Sequence, residues 1–249
     1  ENCVVDRNGD GKINEERLYR MIEEKEGLVS LAFPALMRKV YVWMTLALVI
    51  TGFTAFGIAE NPGLVYTIVT NRLLFWGLVI GEFALVMAIY GAIGRLSATV
   101  ATLLFVLYSI VNGATLSVIF LAYTMTSIAS VFFITAGTFA VMAFIGYTTK
   151  TDLTSFGKML MMGLIGIILA TVVNIFIGSS MLNMIVSYVG VVVFVGLTAY
   201  DSQKIKNLLY QVDNMSEEAQ KLALLGSLTL YLDFINLFLM LLRIFGGNR

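Results

Sequence analysis

The chain has no histidine and a single cysteine, Cys3. One cysteine excludes a disulfide within the chain. Without histidine the usual zinc sites and the Ser-His and Cys-His catalytic pairs are excluded too. Charge is scarce: 13% of the 249 residues are Asp, Glu, Lys or Arg, against about a quarter in an ordinary soluble domain. No basic cluster exceeds a pair, so nothing points to nucleic acid as a partner. Proline occurs only twice.

What fills the space is apolar. Hydrophobic residues make up 59% of the chain, and the mean hydropathy is +0.88. Apolar runs near 20 residues recur, the length needed to cross roughly 30 Å of hydrocarbon. The short alternating segments of a membrane barrel are absent. The fold class is therefore all-α, a polytopic membrane protein, and its 22 glycines suit close helix contacts in such a bundle.

The net charge of zero hides an uneven distribution. Residues 1–30 carry eight of the sixteen acids and five of the sixteen bases, which leaves eight acids against eleven bases in the apolar remainder. Residues 1–27 read as a separate polar segment ahead of a membrane domain over 28–249. Its stretch DRNGDGKINEER resembles the calcium loop of EF-hands and dockerin repeats, with Asp6, Asn8 and Asp10 as metal ligands, Gly11 at the turn and Ile13 in the hydrophobic place. Arg17 stands where the twelfth, bidentate carboxylate belongs, and no partner loop accompanies it. A weak calcium site and a solvated tail both remain open. A helix from about Glu15 to Glu26 is expected after it, and the segment's acidity does not fit a secretory signal.

Seven spans follow. A short interfacial helix at Leu31–Leu36 leads into span one, Val40–Ala59. Span two is Leu73–Ile93, span three Thr99–Tyr123 and span four Ile128–Thr149. The uncharged stretch between Met159 and Tyr200 holds spans five and six with a turn at Gly178-Ser179-Ser180. Span six is expected to end near Asp201, and span seven is Leu222–Phe245, either crossing fully or re-entrant. With the N-terminus in the cytoplasm, the inner segments hold Arg38, Lys39, Arg95, Lys150, Lys158, Lys204, Lys206 and Lys221. The outer ones hold Arg72 and Arg249, with Arg243 near the end of span seven. The positive-inside bias favours this orientation.

Four ionisable groups sit in or at the edge of these spans: Glu82, Arg95, Asp201 and Asp233. A carboxylate at the centre of a span costs roughly 2.5–3.5 kcal/mol on insertion scales. Asp201 precedes the polar connector between spans six and seven, and Asp233 follows it, at depths within two turns of each other. If they meet, both cannot stay charged cheaply in a low dielectric. They would share a proton and titrate as a unit, and loss of the proton would admit a hard cation such as Ca²⁺. Blander readings stand beside this one. Asp201 faces headgroup water, or Asp233 makes a structural hydrogen bond with Asn236 as further glue between helices. Glu82 is a buried acid bonded to a hydroxyl, Arg95 only marks the inner face, and Met159, Met161 and Met162 pack or face lipid.

TAYDSQKIK (198–206) and LYLDFINLFLMLLRIFG (230–246) closely resemble the two signature segments of the Bax inhibitor 1 family, also called the transmembrane Bax inhibitor motif family. NGATLSVIFLAYT (112–124) and FAVMAFIGYTTKTDLTSFGKMLMMGLIG (139–166) are similar to its bacterial members. The resemblance runs from about residue 28 to the end. It implies seven helices, with the last one central and enclosed by the other six. It also implies a pH-sensitive Ca²⁺ leak channel, with Asp201 and Asp233 as proton sensor and Arg95, matched by spacing, as latch. The implied setting is a bacterial inner membrane, with lipid, Ca²⁺ and protons as partners, no cofactor and no enzymatic activity. Another part of the family is associated with a membrane-bound ATP-dependent protease, so a non-conducting modulator of such a protease is the second reading. An intramembrane aspartyl protease is a weaker third, because no Gly-any-Gly-Asp turn surrounds either acid.

Overall fold

The computed structural model describes residues 15–212 and 215–247. These form nine helices: α1 (Glu15–Ala59), α2 (Pro62–Thr70), α3 (Arg72–Ala92), α4 (Ala98–Leu116), α5 (Ile119–Ala122), α6 (Met125–Thr148), α7 (Thr154–Ile177), α8 (Ser180–Tyr210) and α9 (Glu217–Phe245). Seven stretches are long and apolar enough to cross a membrane, with α4 and α5 together making the third. The candidate calcium ligands Asp6, Asn8 and Asp10 lie outside the described residues.

Polar residues set the helix starts. Asn71, Ser97, Thr124, Ser179 and Ser216 each accept a hydrogen bond from an amide in the first turn of α3, α4, α6, α8 and α9. Such caps satisfy donors that lipid cannot. Between α7 and α8 the chain reverses at Gly178, whose φ of 68° is the left-handed conformation that glycine adopts without cost.

Several boundaries differ from the sequence reading. The expected interfacial helix is not separate: α1 runs unbroken through Pro34 into the first span, which begins at Ala32. The loop after it folds into α2. Span three breaks between Leu116 and Ile119. Span six does not end at Asp201 but continues to Tyr210, more than two turns further.

α9 is the centre of the bundle. Leu228, Leu230, Tyr231 and Leu237 on it are wholly buried. It packs on α8, α1, α6 and α4, while α7 leans on α8 and α3 on α4. The last helix is thus central, with α8, α1, α6 and α4 as its main walls and α3 reaching it through the Tyr90–Thr229 contact. α9 runs the length of the bundle: Gly247, just past its end, donates to Ser127 Oγ at 3.0 Å and accepts from the Thr124 amide at 3.2 Å, at the start of α6. That reach favours a full crossing over a re-entrant helix. Close packing depends on two glycines against α8. A Cβ on Gly146 of α6 would collide with the Ala199 carbonyl, and one on Gly157 of α7 with the Tyr200 ring.

One end of the bundle carries the turn after α3, the α6–α7 loop and the α8–α9 connector. With Arg38, Lys39, Arg95, Lys150, Lys158, Lys204 and Lys206 there, it is the basic end.

Candidate functional site

Asp201 on α8 and Asp233 on α9 come together near the basic end. Asp201 is 9% exposed and Asp233 5%, so both carboxyls are largely withdrawn from solvent. The two carboxyls lie within hydrogen-bonding reach of each other. Asp233 Oδ2 is buried and, among the described residues, receives no N–H or O–H. Two carboxylates offer each other only acceptors, so this contact becomes a hydrogen bond only when one of them carries a proton.

The segment around Asp201 is pinned on every side. Gln203 Oε1 accepts from the Leu153 amide at 2.9 Å, and its Nε2 donates to the Thr151 carbonyl at 2.7 Å, which ties the α6–α7 loop to α8. Lys206 Nζ donates to the Tyr147 carbonyl at 2.7 Å. In that same loop the Thr154 hydroxyl and amide hold the Asp152 carboxyl below the usual carboxylate range. Ser202, with no exposed surface, lies beside the Tyr41 hydroxyl of α1.

A small cavity of about 190 Å³ opens beside the pair, lined by Asp201, Lys204, Tyr90 and Thr229 among others. The Tyr90 and Thr229 hydroxyls meet at 2.6 Å across it, joining α3 to α9. Lys204, one turn along α8, is the cation that faces Asp201. Arg95 is not brought to the pair. It sits exposed on the turn after α3, outside the lining of this cavity.

Glu82 belongs to a second polar cluster. Its Oε2 accepts from Asn112 Nδ2 at 3.2 Å, while Oε1 is buried without a partner among the described residues. Asn112 Oδ1 accepts from the Tyr231 hydroxyl at 3.1 Å, and that hydroxyl meets Thr51 Oγ1 at 2.6 Å. Thr51 in turn donates to the Ser109 carbonyl at 2.9 Å. So the acid's hydrogen bond comes from an amide, with the Thr115 hydroxyl alongside, and the network joins α1, α3, α4 and α9. Sequence reasoning singled out only Glu82 of this group. Asn236 is not glue between helices, since its Nδ2 donates to the Leu232 carbonyl of its own helix at 2.7 Å. Met159, Met161 and Met162 are 45–66% exposed and face the membrane.

Comparison with known proteins agrees with this architecture. The family described as "Inhibitor of apoptosis-promoting Bax1" matches residues 34–249. The inner membrane protein YbhL of Escherichia coli is 53% identical over 214 residues, covering 86% of this chain and 92% of its own length. An uncharacterized protein of Borreliella burgdorferi is 46% identical over 227 residues, 91% of this chain and 97% of that one. A protein of Rickettsia prowazekii is 42% identical over 214 residues, covering 86% and 89%. Both signature segments and all seven candidate spans but the first two residues of span one fall inside the matched region. The chain belongs to the Bax inhibitor 1 family.

Proposed function

We propose that this protein is a proton-sensitive Ca²⁺ leak channel of a bacterial inner membrane, closed by a proton shared between Asp201 and Asp233. The observation that carries the reading is Asp233 Oδ2, buried, partnerless and beside a second carboxyl. An ionised carboxylate sealed in a bundle with no donor is expensive. One proton between the two groups supplies the missing hydrogen bond and holds α8 against α9. Loss of that proton leaves two anions side by side. Their repulsion loosens the helix pair, and a hard dication that prefers carboxylate and carbonyl oxygens relieves it. The cavity at Asp201 supplies an approach from the basic end, and the positive-inside bias makes that end cytoplasmic. The relative YbhL, named an inner membrane protein, supports the location. Lys204 is the cation that faces the pair: its ammonium favours the ionised Asp201 and so helps set the pH at which the shared proton leaves.

The test is Ca²⁺ flux from liposomes across a pH series. Flux is expected to rise with pH as the shared proton leaves. Asp201→Asn and Asp233→Asn should each give a flux that no longer responds to pH. Lys204→Met should move the midpoint to higher pH, since removing a cation lets the pair keep its proton longer, while Arg95→Met leaves it in place. A pH response that survives both Asp variants overturns the sensor. A protein that conducts nothing at any pH and co-purifies with a membrane-bound ATP-dependent protease replaces the channel with a regulatory partner.

A further inference from the structure

The other large opening in the bundle has no part in the carboxyl pair's chemistry. α1 and α6 both pack on α9, yet hardly on each other. At the basic end they are joined by the stacked rings of Phe33 and Tyr147, with centroids 6.4 Å apart. Beyond that contact they part and leave a slot of about 640 Å³, within the range of ordinary ligand sites. Its walls run from Pro34 to Leu48 on α1 and from Phe132 to Tyr147 on α6, and Phe234 of α9 is the floor. At 1.5 Å per residue each wall is roughly 20 Å long. That is somewhat more than one leaflet, about half of the ~30 Å hydrocarbon core.

The slot is polarised along its length. Its deep part is Met, Leu, Ala and Phe, and the one hydroxyl there, Thr45, is turned to the Tyr41 carbonyl of its own helix. Its basic end carries Arg38, exposed and without an ion pair among the described residues, together with the Tyr41 and Tyr147 rings. Lys206 adds a second cation there, 5.3 Å from the centre of the Tyr147 ring. No acid lines the slot. A long apolar trough that ends in an unpaired guanidinium and aromatic hydroxyls matches one kind of occupant. From these features we infer that the α1–α6 slot binds one anionic phospholipid from the leaflet at the basic end. One acyl chain lies along the trough and the headgroup phosphate rests on Arg38, whose planar fork suits phosphate oxygens. Lys206 adds to the positive field at that end, and the two cations together disfavour a headgroup that carries a cation of its own.

The position of the slot gives such a lipid a consequence for the proposed channel, and this step alone rests on the carboxyl-pair reading. Phe234 follows Asp233 directly, and Tyr41 lies beside Ser202, which follows Asp201. An acyl chain in the slot therefore presses on a neighbour of each carboxyl. An occupied slot backs the closed pairing of α8 and α9, and an empty one leaves Phe234 free to swing into the gap.

Binding can be read without any flux. The full chain, purified and delipidated in detergent, is titrated with phosphatidylglycerol or phosphatidylcholine and examined by native mass spectrometry. One phosphatidylglycerol should be retained per chain, preferred over phosphatidylcholine by about fivefold, the effect expected of one cation near an anionic leaflet. Arg38→Gln should abolish the preference while some binding of both lipids remains. Ala140→Trp places a ring in the trough from an exposed position on its wall and should abolish retention of both lipids. Equal retention of the two lipids by the wild type overturns the proposal, as does unchanged retention by both variants, which would mean annular lipid only. Retention as expected, with a channel whose pH response survives Asp201→Asn and Asp233→Asn, upholds the lipid site and removes only the carboxyl-pair reading.

Discussion

At the scale of single residues, the cost of a polar group in the bundle is decided by whether its partners are in place. Tyr231 shows this most clearly. Its ring is fully buried, edge-on to Phe105 and Tyr108 at centroid distances of 5.8 and 5.7 Å. Its hydroxyl serves Asn112 and Thr51 at once. Tyr231→Phe keeps the ring contacts and removes only that oxygen. Asn112 Oδ1 then loses its donor, and Asn112 is itself the group that steadies Glu82. The expected loss is about 1–3 kcal/mol, the penalty for leaving buried polar groups unpaired. It is measured as a lower midpoint of thermal unfolding in detergent, with Ca²⁺ flux retaining its pH response. Asp233→Asn should behave in the opposite way. An amide can donate to Asp201 without any shared proton, so stability is kept while the pH response goes. These two outcomes together would separate the clusters, one holding the helices and the other titrating.

At the scale of elements, the bundle is held by backbone approach more than by side-chain bulk. In lipid no hydrophobic force drives helices together, so small residues at the contacts matter most. Gly146 faces the Ala199 backbone, three residues before Ser202 and two before Asp201. Gly146→Ala should push α6 off α8 and cost about 1–3 kcal/mol as an overpacked contact. The same displacement moves the helix that carries Asp201, so the variant's pH midpoint should shift even though no titratable group has changed. An unaltered melting curve together with an unaltered midpoint would show that α6 and α8 do not depend on this contact. The element scale is also where the sequence was least readable. Lys204 and Lys206 look like the arrival of water, which suggests an end to the sixth span near Asp201. The helix instead continues, because Asp201, Ile205 and Leu209 recur every four residues on the buried face while Lys204 and Leu208 point outward. That spacing was available and was outweighed by the charges. Likewise the Arg38–Lys39 pair after Leu31–Leu36 suggests a separate interfacial helix, although Leu36, Val40, Met44 and Ala47 continue one buried stripe along α1. The carboxyl pair was legible because each acid interrupts an apolar run. The Thr51–Tyr231–Asn112–Glu82 network was not, since it depends on the relative register of four helices far apart in sequence.

At the scale of the whole molecule, the distribution of charge bears on which side the carboxyl pair would sample. Arg38, Lys39, Arg95, Lys150, Lys158, Lys204, Lys206 and Lys221 all lie toward one end. At the other, Arg72 opens α3, and Arg243 donates to Ser187 Oγ at 3.3 Å inside the bundle. Because α9 runs the length of the bundle, its two ends lie at opposite ends of the molecule, and the α8–α9 connector shares an end with the start of the first span. On the proposed reading, the positive-inside bias puts that connector and the approach to Asp201 in the cytoplasm, and the pair would answer to cytoplasmic acidity. The check uses single cysteines in a Cys3→Ser background. Met215→Cys in the connector and Gly63→Cys in α2 occupy exposed positions at opposite ends. In spheroplasts an impermeant maleimide should label Gly63→Cys, and should reach Met215→Cys only after the membrane is opened. In right-side-out vesicles with the two pH values set independently, flux should follow the internal pH and ignore the external one. Labelling in the reverse order would turn the bundle over, make the basic end external, and require the carboxyl pair to sense the acidity outside the cell.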